Sequence, residues 1–463
     1  MVERMSALRS LAHRLAPRAE ELGIQPVPQE HRTGTWLDLF AINFAFGINP
    51  LYFVMGAIGV TTFDLPLWWA VAGLSVAQLI SYVILATVAH LGCDYGIPGQ
   101  VGMRAFLGFW GARGLSSGYR TVAALYWFAV QAVTTAFAVQ ALAEALAGWH
   151  LRVVPIALVL GAFHALLAVL GFDVLRYATK VILPLAVVFL VVIITLYMRS
   201  NDPRFAVGHV FDSPGHHLTW VHFSAYVTLV IGSQLTFLPS IADFSRYTRS
   251  RRDSDIGLYT SAMLSAVIVT FVGGFGAVAV GAVKNPFEIG AGLTSSKVVL
   301  AFLLLAVIVQ STGVNIINAY NVGMSLANAV PRLGRILATA IGAVVAVALS
   351  SQPDLLTSAA DWITNLGNVS APLAGAVMVD YLIVKRQRID VAGLYDPRGP
   401  YRYLFGVNLA AAVAIAVAIV VYYVMPHAES KAAWGFGVAA ALYWVLSKVQ
   451  QRLPALAGAS TNA

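Results

Sequence analysis

The chain has 463 residues, of which 59% are hydrophobic and only 11% charged. Soluble domains average about 25% charged residues, so this composition excludes a soluble protein and surrounds most of the chain with lipid. The net charge of +8 reads as basic loops held at a cytoplasmic face rather than as a nucleic-acid footprint, and the single cysteine, Cys93, can form no internal disulfide and lacks partners for a metal site.

Residues 1–35 read as a cytoplasmic tail. They are polar and basic, with Arg4, Arg9, Arg14, Arg18 and Arg32, and no short apolar stretch is followed by a small-residue cleavage site. A helix needs about 20 apolar residues to cross the hydrocarbon core. Twelve such segments follow, at about 36–62, 67–91, 119–147, 152–171, 176–198, 220–242, 257–282, 297–328, 333–351, 357–382, 402–424 and 432–449. With the N-terminus inside, the external segments hold only Arg152, Arg199, Arg204, Lys284, Lys297 and Lys431. Arg246, Arg249, Arg251 and Arg252 follow the sixth span, and Lys385, Arg386, Arg388, Arg398 and Arg402 follow the tenth. This asymmetry is the positive-inside pattern.

Helix breakers interrupt two spans at matching places. The first span carries Gly47-Ile-Asn-Pro50 and the sixth carries Gly232-Ser-Gln-Leu-Thr-Phe-Leu-Pro239. Paired interrupted helices mark an inverted repeat and point to a transport site, where unwound carbonyls and half-helix ends can hold an ion or a polar solute. Static kinks are the other reading, because Gly and Pro are frequent in membrane helices. The pairing predicts a first five-helix repeat over 36–198, an inverted second repeat over 220–382, two additional helices over 402–449 and a cytoplasmic tail at 450–463. It makes Asn49 and Gly232 candidate substrate contacts. A further break is expected in the tenth span at Asn365–Pro372, where Pro372 is either a gating hinge or a kink satisfied by Asn and Ser side chains.

Polar side chains inside a bundle are costly and rarely face lipid. In the third span Trp127 and Gln131 stand four apart and share one helical face. An indole beside a primary amide suits a flat, neutral ring with C=O and N–H groups; a packed Trp and an amide joining two helices is the structural alternative. In the eighth span Ser311, Thr312, Asn315 and Asn318 form a polar stripe, with Ser311, Asn315 and Asn318 on one face. Its hydroxyls can cage Na⁺ with hard oxygen ligands or can hydrogen-bond between helices. His164 stands alone in the fourth span and reads as a core histidine, and the adjacent His216 and His217 read as solvated loop residues. Asp243 and Arg246, at the cytoplasmic edge of the sixth span, are either a helix cap with a basic anchor or a gate pair. No nucleophile, base pair, metal cluster or phosphate loop is recognisable, and spans three to nine lack a central carboxylate.

Several stretches together carry a family resemblance. They are Arg104-Ala-Phe-Leu-Gly108 with Gly111, Trp127-Phe-Ala-Val-Gln131, Asp243-Phe-Ser-Arg-Tyr247, and Val379-Asp-Tyr-Leu-Ile-Val-Lys385 followed by Leu394-Tyr and Tyr403-Leu-Phe-Gly-Val-Asn408. In order and spacing, from about Trp36 to Asn408, the chain resembles the nucleobase–cation symport family of cytosine, purine, uracil, allantoin and hydantoin permeases. The resemblance implies two inverted five-helix repeats plus two helices, alternating access, and symport with Na⁺ or H⁺. It implies that Trp127 stacks on the substrate and Gln131 hydrogen-bonds it. It gives Ser311 and Thr312, with backbone carbonyls near Ala45 and Ile48, the Na⁺ site, and gives Asn315 and Asn318 the substrate's polar edge. Some relatives place a second tryptophan on the sixth span; counting back from Asp243 puts Gln234 there, which favours a more polar or differently shaped ligand.

The expectation is therefore an all-α polytopic membrane protein of about twelve helices in the LeuT-like arrangement, with no enzymatic activity. It imports a nucleobase or related planar heterocycle, the cytosine and purine class favoured, by cation symport. An amino-acid-type symporter of the same fold and an ungated facilitator are the rivals. No cofactor is expected beyond the coupling ion, Na⁺ or H⁺. The partners are a small heterocycle and the lipid bilayer, with no nucleic acid. The chain is expected to work as a monomer in a plasma or bacterial inner membrane with both termini cytoplasmic.

Overall fold

The computed structural model describes residues 23–170, 172–425 and 430–452. Of the two expected tails, residues 1–22 and 453–463 lie outside the described residues. Among the described residues the regular structure is helical, with no β-strand. The first span is two helices, α1 (Trp36–Gly47) and α2 (Pro50–Thr61), followed by α3 (Leu67–Tyr95) and a short α4 (Gly99–Leu107). Then come α5 (Ser117–Ala147), α6 (Val153–Leu170) and α7 (Phe172–Met198). The sixth span is α8 (Trp220–Leu235) and a short α9 (Ile241–Ser245), and α10 (Arg251–Val280) leads to a short α11 (Pro286–Leu293). The chain continues through α12 (Lys297–Ala329), α13 (Gly334–Leu349), α14 (Ala359–Val379), α15 (Leu409–Val424) and α16 (Lys431–Arg452).

Nine helices among the described residues are long and apolar enough to cross a bilayer, and the bent α1–α2 pair makes a tenth. Val153–Val169 and Leu409–Val424 are shorter apolar helices. Each expected segment is thus helical, but two fall short of spanning length. The helix expected over 402–424 begins only at Leu409, because Tyr403 and Phe405 take positive φ of 44° and 54° in a turn. Asn408 then caps it, its Oδ1 accepting from the Ala411 N–H at 3.4 Å. The helix expected from 257 starts earlier, at Arg251, because Ser250 caps it by accepting from the Asp253 N–H at 3.1 Å.

The break expected at Asn365–Pro372 is absent, since α14 runs unbroken through Pro372. Packing on both sides overrides the proline. Gly367 meets Gly232 of α8 backbone to backbone, and Pro372 packs on Gly435 of α16. The irregularity comes later, as a π-turn at Asp380–Val384. There the buried Asp380 pairs with Lys385 and accepts from the Tyr443 hydroxyl at 2.5 Å, which fastens α14 to α16.

Two long helix pairs form the body of the molecule: α5 packs along α12, and α10 packs against α1, α2 and α3. The second contact needs glycine. A Cβ on Gly56 of α2 would stand 2.7 Å from the Thr270 Cα of α10. Gly56→Leu should therefore cost about 1–3 kcal/mol, as overpacking does in close-packed interiors. Thermal unfolding in detergent would show a lower Tm, and an unchanged Tm would contradict the close backbone contact.

Candidate functional site

Both broken spans, α5 and α12 converge on one narrow cavity. The first break bends the chain by 60°. Asn49, extended at φ −145°, caps α2 with its Oδ1 accepting from the Tyr52 N–H at 3.0 Å. Its Nδ2 donates back to the Phe46 carbonyl at 2.6 Å. One amide thus satisfies a peptide group on each side of the gap where no water is at hand, and Pro50 occupies the first helical position, where an N–H would be idle. Phe46, Asn49, Leu51 and Tyr52 face the cavity from this break.

The second break follows the same logic. After Leu235 the chain tightens into a turn in which the Phe237 N–H donates to the Gln234 carbonyl at 3.0 Å and the Thr236 hydroxyl donates to the Ser233 carbonyl at 2.7 Å. Ser233 and Phe237 line the cavity. Beneath it, Arg120 donates Nε–H to the Ser240 hydroxyl at 3.0 Å, and its guanidinium lies 4.5 Å from the Phe237 ring centre.

Trp127 and Gln131 of α5 form another wall. Nine of the ten tryptophans are at least 40% exposed, as expected of membrane-interface anchors, whereas Trp127 is 7% exposed. Its indole N–H donates to Thr236 Oγ1 at 3.1 Å, which ties the ring to the unwound part of the sixth span. Gln131 is fully buried and neither amide atom has a partner within the protein. Buried polar atoms are nearly always paired, so this amide has both a donor and an acceptor left for a ligand. From α12, Val314 and Asn318 complete the lining, and the buried Asn318 Oδ1 also lacks a partner.

Other expected contacts lie elsewhere. Gln234 is buried but outside the lining; its amide donates to the Tyr52 hydroxyl, so it reaches the cavity only through Tyr52. Phe237 stands in the wall instead. Between the two residues and Asp243 a 3₁₀ turn at Leu238–Ser240 interrupts the span, and Phe237 stands at its start. Gly232 is also outside the lining: it provides the close approach to Gly367, and its carbonyl accepts from the Ser370 hydroxyl at 3.1 Å. Asn315 sits one layer back, its Oδ1 accepting from Asn318 Nδ2 at 3.3 Å. Phe46, Tyr52, Ser233 and Phe237 were not anticipated. The signal for them was their position within a turn of the two breaks.

Ser311 and Thr312 lie a turn or two from Asn318 along α12 and outside the lining; both hydroxyls donate to the Ile308 carbonyl, at 2.9 and 2.7 Å. Ala45 and Ile48, both buried, sit at the end of α1, which packs on α12. Among the described residues no cluster of three or more His, Cys, Asp or Glu is placed to hold a metal. At the far end of the sixth span, Asp243 Oδ1 accepts from the Gly99 N–H at the start of α4 at 2.9 Å. Arg246 donates to the Gly23 carbonyl and the Tyr320 hydroxyl, each at 3.0 Å, and so joins the sixth span to α12.

A helical membrane bundle with two interrupted spans around a cavity walled by aromatic rings and a few amides is the architecture of a solute transporter. The family described as permease for cytosine/purines, uracil, thiamine, allantoin matches residues 26–447, and the chain belongs to that family. It is 25% identical over 416 residues to the allantoin permease of Bacillus subtilis, covering 84% of each chain. It is 24% identical over 441 residues to the purine-uracil permease NCS1 of Arabidopsis thaliana, covering 86% of this chain and 70% of that one. Its fold is that of Mhp1, a nucleobase-cation-symport-1 family transporter solved in a closed conformation with bromovinylhydantoin bound. The TM-score is 0.79 at 21% identity, covering 94% of this chain and 97% of that one. The chain is a multi-pass membrane transporter of permease type, not an enzyme.

The exchange of Gln234 for Phe237 in the cavity wall is directly testable, because Cys93 is the lone cysteine. In a Cys93→Ser background, a small water-soluble thiol reagent should label Phe237→Cys readily and Gln234→Cys at least tenfold more slowly. The reverse order would place Gln234 in the wall.

Proposed function

We propose that the chain is a cation-coupled importer of a neutral planar heterocycle, a nucleobase or cyclic ureide, with cytosine and purines in its range. One observation carries this reading. The single buried indole of the protein, Trp127, lies in the cavity wall one turn from an amide with no partner, Gln131. Trp127 and Phe237 offer aromatic faces to a ring, while Gln131, Asn318, Asn49 and Ser233 offer hydrogen bonds to its edge. Gln234 acts through Tyr52, and Asn315 through Asn318. No lining side chain among the described residues is charged, which disfavours an amino-acid carboxylate as cargo. The relatives named above carry allantoin, purines and uracil, or hold a hydantoin: rings in which C=O and N–H alternate.

Coupling is assigned to Na⁺, held by the Ser311 and Thr312 hydroxyls and by backbone carbonyls near Ala45 and Ile48, all neutral oxygens of the kind Na⁺ takes. Protons are the alternative ion. The transport cycle alternates access between two inverted repeats, 36–198 and 220–382, with Asp243 and Arg246 closing the cytoplasmic end. The cavity is built from one chain, which favours a working monomer, and the basic cytoplasmic loops favour internal termini.

A thermal-shift screen of the purified protein against uracil, cytosine, purines, allantoin and hydantoin, with and without Na⁺, tests the reading, since a ligand stabilises the state it binds. Stabilisation by none of these rings would defeat it. Trp127→Ala should abolish saturable uptake while the protein still reaches the membrane; unaltered uptake would remove Trp127 from the site. Ser311→Ala combined with Thr312→Ala should weaken the Na⁺ dependence of uptake about tenfold or more. Wild-type uptake that ignores Na⁺ and follows a proton gradient would transfer the coupling role to H⁺.

A further inference from the structure

The amides behind the cavity wall have a fixed polarity. The Asn315 Nδ2 group donates to the Phe128 main-chain carbonyl at 3.2 Å. A carbonyl can only accept, so this contact identifies which end of the Asn315 amide is nitrogen. The same Nδ2 lies 3.1 Å from His164 Nδ1. With one hydrogen committed to Phe128, the second points at His164, whose Nδ1 must therefore accept. His164 is then neutral, with its proton on Nε2. Both Asn315 hydrogens are used, and turning the amide over would set its oxygen against the Phe128 carbonyl oxygen, which cannot donate.

The consequence reaches the cavity. Asn315 Oδ1 is the atom left to face Asn318, and it accepts from Asn318 Nδ2 at 3.3 Å. That orients Asn318 in turn: its nitrogen points back and its Oδ1, buried and unpartnered, belongs to a residue of the cavity wall. His164 is fully buried beside the rings of Phe128 and Phe163, and its Nε2 has no partner. Packing alone would be served better there by an apolar side chain, so the feature of His164 that the site uses is the Nδ1 acceptor.

We infer that the Phe128 carbonyl, His164 and Asn315 form a relay that holds Asn318 as a hydrogen-bond acceptor toward the cavity, so that the site selects rings presenting an N–H at that point. His164 and Asn315 are positioning residues and Asn318 determines specificity. Cyclic ureides and nucleobases with a lactam N–H fit. The same rings methylated at that nitrogen do not, and rings offering only an unprotonated nitrogen there meet an oxygen. The inference rests on the heterocycle-carrier reading above.

Binding of uracil and hydantoin to the purified full-length protein, each beside its N-methylated forms, tests it. The quantity read is the ratio of affinities for the N–H and N-methyl ligands, so the bulk of the methyl group cancels when variants are compared. Wild type should prefer the N–H ligands. Asn315→Leu frees the Asn318 amide to turn and should reduce the preference about tenfold, the order expected of one buried hydrogen bond. His164→Leu should reduce it about threefold, because Phe128 still holds one Asn315 hydrogen; its apolar side chain among phenylalanine rings keeps this arm available if Asn315→Leu fails to fold. His164→Asn, with an oxygen near the place of Nδ1, should retain the preference. An unchanged ratio in both leucine variants, or an equal loss in His164→Asn and His164→Leu, would overturn the relay. Wild-type protein that binds no member of the panel would instead bring down the heterocycle reading itself.

Discussion

A helix that unwinds inside a bilayer exposes peptide groups with no water to receive them, and each one left unpaired costs several kcal/mol. The cavity exists because both broken spans meet that demand from within. At the first break, Asn49 serves a carbonyl behind it and an N–H ahead of it. At the second, short turns and the Thr236 hydroxyl take up the groups released after Leu235. Only then can the helix ends beside the gaps bring Phe46, Tyr52 and Ser233, and the turn after α8 bring Phe237, to the cavity. The largely aromatic and apolar lining, with its few amides, follows from how the gaps are closed.

The two halves of the site are also joined. The Trp127 indole N–H is committed to Thr236, so the flat wall contributed by α5 is registered against the unwound part of the sixth span. By contrast, the Gln131 amide and Asn318 Oδ1 have no commitments within the protein. A buried polar atom without a partner is worth about 1–3 kcal/mol of lost stability, and a ligand that pairs with it recovers that energy as affinity. The cavity therefore combines one fixed aromatic surface with polar groups left open for a guest.

Much of this was legible in the sequence. Hydropathy and basic-residue asymmetry place a helix in every expected segment, and Gly47-Ile-Asn-Pro50 and Gly232–Pro239 mark the two interruptions. The i, i+4 spacing of Trp127 and Gln131 puts both in one wall. What escaped the sequence is what depends on tertiary context or on departure from helical counting. Where the chain leaves α8 and enters a 3₁₀ turn, Phe237 rather than Gln234 faces the cavity. Pro372 left α14 intact because Gly232 and Gly435 pack on either side of it. The Ser311–Asn318 stripe covers more of α12 than the cavity touches, so Asn318 reaches the wall while Asn315 turns to His164.

The meeting of Gly232 with Gly367 bears on how the bundle can move. A Cβ on Gly232 would approach the Gly367 Cα to 3.0 Å, and the Ser370 hydroxyl clasps the Gly232 carbonyl. No layer of side chains lies between the two helices at that point to slide or shear. The α8 part of the sixth span is thus held close to α14, while Asp243 at its far end is tied to α4. Between those two attachments lie Thr236 to Ser240, the few residues of the span outside an α-helix, so it is there that the direction of the span can change.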